Sequence, residues 1–115
     1  MNVPTSAEEW LELPEISVPP VDSKIYHVLK VGFALTSKQE CYKLSIPAIE
    51  KEIGRCILPT CLIKNIDGKQ VLHRCPLSLT EWAISTVALA QAGMNPLPCD
   101  IEFGIMGDRV YAEML

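Results

Sequence analysis

The chain has 115 residues, 49% of them hydrophobic and 21% charged, with a formal net charge of −4. That length allows one domain around one core. The acidic balance, with an isoelectric point near 5.1, excludes a nucleic-acid partner, whose phosphates need clustered Lys and Arg.

Residues 1–23 read as an N-terminal arm. Met1-Asn2-Val3-Pro4 lacks the basic residues and apolar run of an export signal, which points to a cytoplasmic protein. Ser6-Ala7-Glu8-Glu9 has the spacing of a capping box, placed ahead of Trp10, Leu11 and Leu13. Pro14 stops that helix after about two turns, too few to be stable alone. Pro19 and Pro20 keep the chain beyond it extended. Trp10 and Leu13 therefore need a surface, and docking on the chain's own body loses less freedom than docking on a partner.

Residues 24–115 read as a single α+β domain. Lys24 to Leu35 predicts a long strand with Ile25, His27, Leu29, Val31, Phe33 and Leu35 on one apolar face. Its other face carries Tyr26, Val28, Lys30, Gly32 and Ala34, open to solvent or a partner. Thr36 to Glu40 reads as a polar turn. Ser45-Ile46-Pro47 predicts a helix start, with Ile46, Ile49 and Ile53 as the apolar stripe and Gly54 as the end.

Asn65-Ile66-Asp67-Gly68-Lys69 then marks a β-hairpin with strands near 56–64 and 70–75. A bulged three-residue loop places Asn65 opposite Lys69 and Cys61 opposite His73. A two-residue turn would pair Cys61 with Arg74 instead. Ser78-Leu79-Thr80-Glu81 has the form of a second capping box, opening a helix from Leu79 to Ala92 that Gly93 ends. Cys99 to Met106 and Asp108 to Ala112 predict a second hairpin.

This order gives a ferredoxin-like βαββαβ two-layer sandwich with an extra C-terminal edge strand. The first strand is central in it, and Pro59 lies on an edge strand, where its missing N–H breaks no ladder bond. The alternative is another two-layer α+β arrangement of the same elements.

The second helix carries no charge after Glu81, and the uncharged run from Ala83 to Cys99 is too short and too broken to span a bilayer, so no membrane partner is expected. Such a helix is either covered by the arm or is an association face. The interface candidates are Trp10, Leu13, Tyr26, Val28, Ser85, Ala88 and Ala92. They support a small non-catalytic protein-interaction or regulatory module, acting as a homo-oligomer or as a subunit of an assembly. Its partner is itself or another protein.

Five cysteines without regular spacing read as reduced thiols. The hairpin register puts Cys61, His73 and Cys75 on one face, and the ferredoxin-like sheet brings His27 toward them. Two sulfurs and two imidazoles form a tetrahedral zinc set, which makes a zinc-binding or small-ligand protein the second reading. A thiol-dependent enzyme is the third, with Cys75 just before a helix N-terminus and His73 as its base. Asp100 and Glu102 share a strand face and are the remaining acid/base candidates.

Overall fold

The structure, a computed structural model, describes residues 4–18, 23–52 and 54–115, and of Lys51 and Glu52 the backbone alone. The expectations for Pro19, Pro20 and Ile53 fall outside these residues. Helix α1 spans Ala7–Glu12, and Ser6 caps it by accepting the Glu9 N–H at 3.1 Å. The Glu9 carboxylate reaches past the cap and accepts the Thr5 N–H at 3.2 Å, so the Ser6 half of the capping box forms and the return bond goes to the residue before the cap.

Strand β1 spans Lys24–Ser37 and leads into α2, Lys38–Lys43. Where a polar turn was expected, Ser37 caps a short helix by accepting the Glu40 N–H at 3.1 Å. Where a helix was expected, Ile49–Glu52 is strand β2. Glu52 pairs with Arg55, and Gly54, with φ of 78°, supplies the turn between β2 and β3. Strand β3 is Arg55–Lys64 and β4 is Gln70–Arg74. A 3-10 turn, Leu77–Leu79, leads into α3, Thr80–Gln91, which has Leu79 as its N-cap residue and no side-chain cap. Ser78 is therefore not the cap its spacing suggested. Strands β5, Cys99–Met106, and β6, Arg109–Met114, form the expected second hairpin.

These strands form one antiparallel sheet in the order β2-β3-β1-β5-β6, with β4 also paired to β3. The ferredoxin-like expectation is overturned. That fold needs a helical crossover carrying the chain from the first strand to a second one parallel to it. Here the linking residues form only the six-residue α2 and then β2, which folds back on β3. Strand β3 consequently returns antiparallel, directly beside β1.

Pro59 is likewise not on an edge strand, since β3 lies between β1 and the pair β2 and β4. The Pro59 carbonyl accepts the Cys75 N–H and the Trp10 Nε1–H, both at 3.0 Å, on the side of β3 away from β1. The N of a strand residue points the same way as its carbonyl. The missing N–H therefore falls between the start of β2, opposite Ile57, and the end of β4, opposite Thr60, where no ladder bond is lost.

A β-bulge in β1 sets the two faces. Val28 pairs with Ile63 and Lys30 with Leu62, leaving Leu29 as the extra residue. One extra residue reverses the in–out alternation. Tyr26 and Val28 therefore share a face with Val31, and Ile25 and His27 turn to the opposite one. On the first face Val28, Cys61, Ile63, Ile101 and Phe103 form the main core with Ile16, Cys75 and Leu79, and Trp82 of α3 packs on Phe103 edge-on at 5.8 Å. A second core on the other face joins Ala34, Cys56 and Leu58 to Ala7 and Trp10 of α1 and Cys41 of α2.

The arm docks on the body, but not over α3. Pro14 to Ile16 runs along the outer edge of β4, with Ile16 N–H donating to the Arg74 carbonyl and Arg74 N–H to that of Pro14, both at 2.9 Å. The Arg74 guanidinium holds the same segment by donating from Nε to the Leu13 carbonyl at 3.1 Å while lying 5.5 Å from the Trp10 ring centre.

Candidate functional site

The first hairpin has the bulged register. The Asn65 N–H donates to the Lys69 carbonyl at 2.8 Å, Gly68 takes φ of 85°, and Cys61 faces His73. The Asp67 carboxylate closes the loop by accepting the Lys69 N–H at 3.0 Å. Cys61 and Cys75 meet on the buried face, both fully enclosed, with their Sγ atoms 2.8 Å apart. The hydrogen bond shared with Cys61, which holds the proton on Cys75, and then burial, push the Cys75 thiol well above its ordinary range. That sign is opposite to the one a thiolate nucleophile needs.

The imidazoles do not complete a zinc set. His73 turns Nδ1 to the Val71 carbonyl at 3.2 Å and its ring toward Tyr26. His27 lies on the other side of the sheet because of the bulge, and its Nδ1 is 2.8 Å from Asp100 Oδ1. Among the described residues no group of three His, Cys, Asp or Glu side chains is placed to hold a metal ion. His27 and Asp100 instead form an exposed pair beside Lys64, Asn65 and Ile66 at the hairpin end.

Asp100 and Glu102 do share a strand face, but each has a different partner. Glu102 accepts from the Ser23 hydroxyl at 2.8 Å and the Tyr111 hydroxyl at 3.1 Å. Partial burial, and then the bond to Glu102, raise the Tyr111 hydroxyl above its ordinary value, with Ser23 opposing.

A second thiol pair had no signal in the spacing. Cys41 of α2 and Cys56 of β3 lie in the second core, and burial, then Cys56, push the Cys41 thiol up to about 11. The Ser37-x-x-Glu40 spacing would have located α2, but not the sulfur facing it.

The interface candidates divide by burial. Trp10 and Val28 belong to the two cores and Tyr26 is partly buried, so none of the three forms an open face. Ser85, Ala88 and Ala92 are exposed on α3, with Leu89 beside them at 41%. Between α3 and the sheet runs a mainly apolar groove lined by Val31, Gly32, Phe33, Leu35, Ile57, Ile84, Val87 and Ala88, with Gln91 as its one polar side chain. It ends on a row across three strands, Ile49, Ile57 and Leu35, whose outer members are 38% and 53% exposed. The row is not legible in the sequence, where the spacing of Ile46, Ile49 and Ile53 predicts a helix. Among the described residues no helix is long and apolar enough to cross a membrane. Compared with protein families, with curated proteins and with solved structures, the chain matches none.

Proposed function

We propose that this chain is a non-catalytic interaction module that pairs with a second copy of itself through the groove beside α3. One observation carries the reading: the groove and the row Ile49, Ile57 and Leu35 are continuous, mainly apolar and partly open to solvent. An apolar surface of this kind is stable in water when another surface covers it. A second copy suits it on charge. Two chains of net charge −4 repel at a distance. Their contact is favoured where charge is lacking, as it is from Trp82 to Cys99. Ser85, Ala88 and Ala92 are small enough to let two helices approach closely across a twofold axis.

Light scattering over a concentration series tests this. The expected result is a mass approaching twice 12.7 kDa for the natural chain, and a monomer for Ala88→Glu with an unchanged circular dichroism spectrum. A natural chain that stays monomeric up to its solubility limit removes the reading.

A further inference from the structure

We propose that Cys61 and Cys75 are a disulfide site, closed by a small-molecule disulfide such as oxidised glutathione as the chain folds. The hairpin register sets Cys61 on the buried face of β3. The Cys75 N–H, donating to the Pro59 carbonyl at 3.0 Å, fixes the chain just past β4 on the same face. The two sulfurs end 2.8 Å apart in a fully buried setting. A disulfide needs them roughly 0.8 Å closer.

The exchange balances with that oxidant. One protein thiolate attacks a glutathione sulfur, forming a mixed disulfide and releasing one glutathione. The second protein thiolate attacks the protein sulfur of the mixed disulfide and releases the other glutathione. The two thiol protons end on the two glutathiones, and two electrons pass from protein to oxidant. Burial keeps the oxidant from the folded pair, so the bond forms during folding or in an opened state. The same burial then shields it from reductants.

The product ties β3 to the segment entering α3. Cys99, only partly buried and packed against the same core, remains a free thiol, and Cys41 and Cys56 lie in the other core.

The full chain, reduced and unfolded, is refolded in mixtures of reduced and oxidised glutathione, alkylated without reductant and digested with trypsin. The expected product links peptide 56–64 to peptide 75–109, with fragment ions assigning the bond to Cys61 and Cys75. The thermal midpoint of the oxidised chain should lie roughly 10 °C above that of the reduced chain. Cys75→Ala should lose this difference, and the peptide assignment in the natural chain stands whether or not that variant folds. Alkylation of both Cys61 and Cys75 at every glutathione ratio, or a bond from either one to Cys41, Cys56 or Cys99, overturns the proposal.

Discussion

Gly104 is required by its neighbour across the strand pair. It faces Tyr111, whose ring lies over it so closely that a Cβ there would meet Oη at 2.6 Å and Cε1 at 2.8 Å. The position takes ordinary strand dihedrals, so the constraint is space and not backbone freedom. Gly104→Ala should push the ring aside, break the hydroxyl's bond to Glu102 and cost about 1–2 kcal/mol through overpacking. Moving the ring out also weakens both causes that raise the Tyr111 hydroxyl, namely its partial burial and its bond to Glu102. Ultraviolet titration of the phenolates, with Tyr111→Phe to assign the signal, should show Tyr111 falling toward 10.0 in the alanine variant. An unshifted titration together with unchanged stability would mean that the ring does not rest on Gly104.

Among the elements, the bulge at Leu29 had the largest consequences for what could be read from sequence. Alternation across 24–35 has two solutions, and a single rule applied along the whole strand picks Ile25, His27 and Val31 as one face. With one extra residue at Leu29 the face becomes Tyr26, Val28 and Val31. Val28 and Phe103 are then fully buried and Ile25 is 54% exposed. Periodicity cannot reveal a bulge between two apolar residues, because Val28 and Leu29 satisfy either register equally well. The same limit placed His27 with the wrong partners and made the zinc set look possible.

The first hairpin was legible because Asp67-Gly68 has specific turn chemistry, and that chemistry correctly placed Cys61 opposite His73. Segment 45–54 was not legible, since Ile49 and Ile53 fit a helical stripe and an alternating strand alike. Deleting Leu29 tests the bulge. It makes Val28 and Lys30 neighbours, and these already pair with Ile63 and Leu62, so the shortened strand alternates regularly with Tyr26, Val28 and Val31 still on the core face. Removing Lys30 as well turns Tyr26 and Val28 off that face, at about 1.5–3 kcal/mol for each side chain against the 5–15 kcal/mol that stabilises a small domain. The single deletion should keep the native near-ultraviolet spectrum, whereas the double deletion should lose it and show a sharply lowered urea midpoint. A single deletion that unfolds the chain as readily as the double one would show that Leu29 is not the extra residue.

For the molecule as a whole, both cores are built partly from thiols, which makes its stability sensitive to alkali. Cys41, Cys56, Cys61 and Cys75 are all buried, Cys41 and Cys56 in one core and Cys61 and Cys75 in the other. A thiol whose folded pKa exceeds its unfolded value holds its proton more tightly in the folded chain. Its contribution to stability is complete below the unfolded value and declines as the pH rises through that value to the folded one. For Cys41 the window runs from 9.0 to about 11, and burial is the main cause. In the reduced chain Cys75 adds to the decline in the same direction, through its bond to Cys61 and then its burial. The urea midpoint should therefore fall across this window, and Cys41→Ala should make the fall shallower while leaving the midpoint nearly flat around neutral pH. Lysines and tyrosines titrating in the same range act equally on both chains, so the difference in slope isolates the thiol. Equal slopes would mean that Cys41 ionises as readily folded as unfolded, and that the second core admits water.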